Sequence, residues 1–335
     1  MNVKKKITNR IIHNKKKIIN TKEIKIDTTP YITNNNLFND KIELNKSIKI
    51  NKVIFTLTST PLRFINDNFE KNIISLINQE IEPDYIIINL CKKYKRTFIY
   101  DNNLFLKKIE YYKTSYNKIH INICENDYGP ITKVLGLYDL PIKFDPEDLI
   151  ISLDDDSILD KNTIFIYLLI NLIYSPDFIA TPQYIYYSKP VLQEIIKPSY
   201  NNYIYGWMTF GIKYKFLDDL YNYYHKYISI NNDLWKHDDL ILTMFYKENN
   251  LSCCEFTTLL IKGNLEIDAI DSLRNDDIHN NFYRNKLQNL YSNILNKYTS
   301  PILLPKIEED EINEYMNNII IKYINNTIKI LKKDN

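Results

Sequence analysis

Glycine is scarce in this chain, five in 335 residues, and none sits in a Gly-rich phosphate loop of the Walker or dinucleotide type. Those two nucleotide-binding solutions are therefore excluded. Cysteine is rarer still: Cys91, Cys124, Cys253 and Cys254 cannot frame a disulfide scaffold at this length, and two are adjacent. A reducing compartment is expected, the cytoplasm, or a host cell's cytoplasm if the source is viral. An excess of charge of one sign is also lacking, because 43 basic residues against 41 acidic ones leave +2. Nothing global draws the chain to nucleic acid or a membrane surface. Long apolar runs are missing too: no such run follows the basic residues at the amino terminus, and Ile164 to Tyr174 is too short to span a bilayer. A soluble protein with no nucleic-acid partner and no membrane span is expected.

What the chain has in abundance is Tyr (28), together with Asn, Ile and Lys, a bias that reads as the imprint of AT-rich coding. Residues 1–50 read as a basic N-terminal arm followed by an edge strand, with apolar residues at Ile42, Leu44, Ile48 and Ile50. From Val53 the pattern is that of a parallel α/β sheet. Val53–Thr58, Tyr85–Leu90, Ile119–Cys124 and Leu149–Leu153 are short apolar runs bounded by turn signals, and a helix over Asp67–Gln79 carries Phe69, Ile73, Leu76 and Ile77 on one face. A second apolar helix covers residues 161–174. The chain is accordingly divided into a nucleotide-binding half (51–160) and an acceptor-binding half (161–300), together one domain over 51–300. A C-terminal amphipathic helix (301–335) leaves a homo-oligomer through that helix open.

Four stretches carry candidate chemistry. The first apolar run ends in Thr58-Ser59-Thr60-Pro61-Leu62-Arg63, a hydroxyl-rich turn with one cation. Asp127-Tyr128-Gly129-Pro130-Ile131-Thr132-Lys133 spends a rare glycine beside a proline suited to a helix start, where backbone N–H groups and an ammonium could hold phosphate. Asp154-Asp155-Asp156 ends a buried strand, and in open α/β sheets that end is where ligands bind. Read alone, this triplet is either a set of hard oxygen ligands for a divalent cation or an acidic turn that caps the next helix. Asp238-Asp239 opens an apolar helix, as a cap or as a carboxylate that takes a proton from a hydroxyl. His237 beside it reads as a surface residue or as a helper to that proton transfer. Gly206 and Trp207 mark an aromatic segment suited to a sugar face or to core packing, and His279 is a late candidate metal ligand.

In this order the four stretches resemble the nucleotide-diphosphosugar-dependent glycosyltransferases with the GT-A fold, over about residues 52–250. The resemblance implies a Rossmann-like, mostly parallel central sheet flanked by helices, with an acceptor-side subregion. It implies a UDP-sugar donor, Mn²⁺ or Mg²⁺, and a glycan, protein or small-molecule acceptor. Asp154 and Asp156, with His279, would hold the metal. Thr58, Arg63, Asp127, Lys133, Asp154 and Asp155 would line the donor pocket, and Gly206 and Trp207 the acceptor side. Asp239, with Asp238 second, would be the base of an inverting transfer, although the first member here is Asp where the family has Glu. The alternatives are a non-catalytic carbohydrate-binding or scaffold protein on the same fold, and a nucleotidylyltransferase, which would bring a Gly-rich loop where this chain has Ser59-Thr60-Pro61.

Overall fold

The computed structural model describes residues 52–180, 196–198, 203–204, 206, 209–256, 260–262 and 277–297. The expected N-terminal arm and edge strand, Trp207 and the C-terminal helix of 301–335 lie outside the described residues.

Four apolar runs form the parallel part of one sheet: β1 (Val53–Thr58), β2 (Tyr85–Cys91), β3 (Ile119–Cys124) and β4 (Leu149–Ser152). β1 pairs with β2 on one side and β4 on the other, so the chain reverses its direction of sheet growth between β3 and β4. β1, β2 and β4 are apolar and buried on both faces, as a covered parallel sheet requires, while the edge strand β3 leaves Ile123 exposed. Past β4 and the two-residue β5 (Ile158–Leu159), the sheet continues with β6 (Phe178–Ala180), β7 (Ile196–Pro198), β8 (Phe210–Lys213) and β9 (Cys253–Phe256), in the order β3-β2-β1-β4-β8-β6-β9-β7. β8 is antiparallel to β4 and β6, and β7 to β9, while β6 and β9 run parallel. Six of the eight strands therefore share the direction of β1, and the fold is α/β with a mostly parallel, mixed sheet. A separate pair joins β5 to β10 (Leu260–Lys262).

Alternation along the strands sorts the core into two layers. Val53, Phe55 and Leu57 face one layer, with α1 (Pro61–Phe64), α2 (Asp67–Ile77), α3 (Asn102–Ser115) and the apolar helix Thr163–Tyr174 packed on it. Ile54, Ile87 and Ile150 face the other, under the one-turn helix α4 (Thr132–Leu135). Numbering Thr163–Tyr174 as α5, that layer also holds α6 (Leu217–Ile230), α7 (Asp238–Glu248), α8 (Asp277–Leu290) and α9 (Ser292–Leu295). Two expectations are adjusted. The first helix stops at Ile77, with Asn78 as its C-cap. The segment after Pro130 is one α-turn between two 3₁₀ turns, Gly129–Ile131 and Gly136–Asp139.

Candidate active site

The point where the sheet changes its direction of growth leaves a crevice outside the carboxyl ends of β1 and β4, the usual ligand site of an open α/β sheet. The turn after β1 and the triplet after β4 meet there. Arg63, on the one-turn helix α1, places one guanidinium nitrogen 2.7 Å from Asp155 Oδ1 and the other 2.7 Å from Asp156 Oδ2. Ser59 Oγ donates to Asp155 Oδ2 at 2.5 Å. From α2 below, Asn72 Nδ2 donates to the carbonyls of Asp154 (3.2 Å) and Ser157 (2.5 Å) and pins the loop to the helix layer. Thr58 and Asp127 brace loop backbone. Thr58 Oγ1 donates to Asn89 O at 2.9 Å, and Asp127 accepts from the amides of Gly129 and Lys95, each at 2.8 Å.

Lys133 occupies the centre. Its side chain is 1% exposed, and Nζ lies 2.7 Å from Asp154 Oδ1 and 2.7 Å from Asp238 Oδ2 while donating to the Gly206 carbonyl. Burial alone would lower the ammonium's pKa, but Asp154 and Asp238 outweigh it and hold it above its ordinary range. The backbone beneath is held by polar side chains standing out from the sheet. Thr56 Oγ1 and Asn89 Nδ2 donate to the Lys133 carbonyl, and Asn122 Nδ2 donates to Asn89 Oδ1 (2.8 Å) and Gly136 O (2.7 Å). An irregular segment with few helical bonds of its own is thereby satisfied.

The antiparallel strand brings the second half of the chain to this crevice. Because Phe210 pairs with Ser152, the residues just before β8 arrive beside the end of β4. Gly206 is among them, and a Cβ there would stand 2.1 Å from Asp238 Oδ2, so glycine is required by close approach. Gly129 has φ +75° and lies against Trp235, whose half-buried ring has Lys95 Nζ 5.0 Å from its centroid.

Asp238 and Asp239 are the first two residues of α7 and both are buried. Asp239 Oδ2 accepts from Arg284 on α8, a residue with no part in the sequence-level site. Burial first, and the Asp238 charge second, push the Asp239 carboxyl up to about 6 against the opposing pull of Arg284. His237 is not on the surface as expected. It is 4% exposed, and burial, then Arg284, lower its pKa to about 4, so the ring is neutral. His279 falls within α8, with its side chain outside what is described. Among the described residues no three His, Cys, Asp or Glu side chains converge as a metal-holding group, and no helix is long and apolar enough to cross a membrane. All four cysteines are buried thiols.

No protein-family model matches this chain, and no curated protein matches it. Among solved structures it is similar to S. aureus TarS. With TarS residues 1–349 in complex with UDP the identity is 13%, covering 64% of this chain and 59% of that one, at TM-score 0.42. With the UDP-GlcNAc complex the values are 14%, 82%, 72% and 0.45. The galactosyltransferase LgtC, in complex with donor and acceptor sugar analogues, gives 11% identity over 61% of this chain and 72% of that one, at TM-score 0.39. The Francisella tularensis 2-C-methyl-D-erythritol 4-phosphate cytidylyltransferase gives 13% over 69% and 98%, at 0.36. These likenesses assign no activity to this chain.

Proposed function

We propose that the protein transfers a sugar from a nucleotide-diphosphate donor, a UDP-sugar by preference, to an acceptor hydroxyl, with inversion at the anomeric carbon. The observation that carries this reading is the Lys133 ammonium, which joins the strand-end carboxylate Asp154 to the helix-start carboxylate Asp238 in one crevice. Arg63, Lys133 and the Asp154–Asp156 loop form the donor side, and the start of α7 with Gly206 the acceptor side. In the reaction the bond from the anomeric carbon to the diphosphate oxygen breaks, and the nucleoside diphosphate leaves with the electron pair. The acceptor oxygen bonds to that carbon from the opposite face, and its proton passes to Asp239. Asp239 suits this role better than Asp238, because Asp238 is engaged by the buried Lys133 while burial raises the Asp239 carboxyl toward neutrality.

A divalent cation, Mn²⁺ or Mg²⁺, fits the donor set. Asp154, Asp155 and Asp156 bring three carboxylates onto one loop, where Arg63 takes Asp155 and Asp156 and Lys133 takes Asp154. Lys133 engages Asp154 through Oδ1, and the Asp154 side chain is 29% exposed. Cations of this kind take one or two carboxylates and complete their shell with substrate phosphates and water. Asp154 and Asp156 would hold it, and it would offset charge on the departing diphosphate.

The test is release of nucleoside diphosphate from a panel of UDP- and GDP-sugars with Mn²⁺ or Mg²⁺. Wild type is expected to turn over, and Asp154→Asn and Asp156→Ala to lose on the order of 100-fold or more, the scale of one lost electrostatic stabiliser. Metal-independent turnover would remove the cation from the reading. No thermal shift with UDP or GDP would leave a scaffold, and pyrophosphate release from a nucleoside triphosphate would make the protein a nucleotidylyltransferase.

A further inference from the structure

Asp239 is held from a part of the chain that none of the four sequence stretches includes. Arg284 reaches its Oδ2 from α8, and the same guanidinium lies 3.4 Å from the Tyr203 hydroxyl and 5.7 Å from the Tyr203 ring centroid. Gln288, one turn further along α8, meets Tyr203 as well, so the helix grips this ring with residues four apart on one face. The adjoining face is anchored, because Leu287 and Tyr291 are buried and Tyr291 packs 5.7 Å from the Tyr227 ring. Below them Lys247 Nζ, from α7, donates to the Leu295 carbonyl of α9. The guanidinium is thus fixed by its ring partner and by a helix locked to the element that carries Asp239.

We propose that Arg284 is the positioning residue for the base, holding Oδ2 of Asp239 in an ion pair so that the carboxylate is ionised and oriented when an acceptor hydroxyl arrives. This rests on the reading of Asp239 as the proton acceptor. Among the described residues, the charged and titratable groups that act on Asp239 are Asp238 beside it, Arg284 from α8 and Tyr203 from the segment before β8. Of these only Arg284 is a cation. Without it, a carboxylate buried next to Asp238 stays protonated over much of the neutral range and cannot accept the hydroxyl proton. The guanidinium is neither consumed nor moved in the step.

The experiment is a carboxyl ¹³C titration of Asp239 in the full chain, its resonance identified by Asp239→Asn, paired with the pH dependence of kcat/KM for donor turnover. In Arg284→Gln the titration is expected to move up by about one unit or more, and the acid limb of kcat/KM to move up with it. At neutral pH kcat falls about 10- to 100-fold while the donor KM stays within about twofold, the pattern of a lost interaction in the reaction step. Arg284→Lys keeps the limb in place through its charge but loses several-fold in kcat because it lacks the planar fork. An unmoved titration and limb in Arg284→Gln overturns the proposal. If that variant does not fold, wild-type kcat in Arg284→Lys overturns it instead. Full turnover in Asp239→Asn sinks the base assignment itself, whereas an inactive Asp239→Asn beside wild-type profiles in the Arg284 variants sinks only the inference about Arg284.

Discussion

Arg63 and Lys133 each hold two carboxylates of the same crevice, yet the two clamps are built differently. Arg63 bridges Asp155 and Asp156, neighbours on one loop, and remains 16% exposed. Lys133 bridges Asp154 and Asp238, which come from opposite halves of the chain, and is 1% exposed. If Arg63 is lost, Asp155 keeps the Ser59 hydroxyl and Asp156 keeps some access to water. If Lys133 is lost, a buried aspartate faces another carboxylate with no cation between them. A cation that closes a loop onto itself can be spared more easily than one that joins two segments in the interior.

The sharpest way to break this comparison is by stability. Lys133→Met is expected to cost roughly 3–5 kcal/mol in chemical denaturation, as removal of one partner from a buried ion pair does. Arg63→Met should cost less than half of that, and equal losses would mean that burial does not separate the two clamps. A gentler perturbation pushes Asp238 away from Lys133 and leaves Arg63 untouched. Gly206→Ala sets a methyl group against Asp238 Oδ2 and is expected to destabilise by about 1–3 kcal/mol, the cost of overpacking. Most of that loss should disappear in an Asp238→Ala background, and an undiminished cost there would show that the carboxylate is not what the methyl group meets.

The last effect is a slope with pH. The Asp239 carboxyl is raised in the folded protein, so its contribution to stability is complete below the unfolded value near 3.8 and is lost as pH rises through about 6. Asp239→Asn should flatten the stability profile between those limits by about 1–3 kcal/mol. An unchanged profile would place the titration elsewhere.

The sequence makes the parallel half of the sheet legible. Val53–Thr58 and Ile119–Cys124 are apolar runs between turn signals, and the strands fall on those residues. The later half is harder, because β6, β8 and β9 are three or four residues long and β7 contains a proline. Periodicity has little to act on at that length. The helix α3 is hidden for another reason: its buried residues are Phe105, Ile109 and Tyr112, set among lysines, tyrosines and asparagines. The strand-end position of Asp154–Asp156 is readable because the strand is. That Lys133 turns inward to Asp238 is not, since it depends on β8 running antiparallel beside β4. The spacing Arg284, Leu287, Gln288, Tyr291 is a helical stripe visible in the sequence, but an arginine on such a stripe reads as a solvated residue until its acidic partner is in view.

The polar row beneath Lys133 bears on how easily this chain could lose its site. Thr56, Asn89 and Asn122 stand in strands that are otherwise largely isoleucine, leucine and valine, and the two asparagines are paired across β2 and β3. Asparagine and isoleucine codons differ only in the middle base. In a coding sequence rich in both, one transversion at either asparagine would keep the strand and delete a donor that holds the turn carrying the ammonium. The fold would survive such drift more readily than the site, so copies of this gene under no selection for the site should keep their sheet and lose the asparagines first.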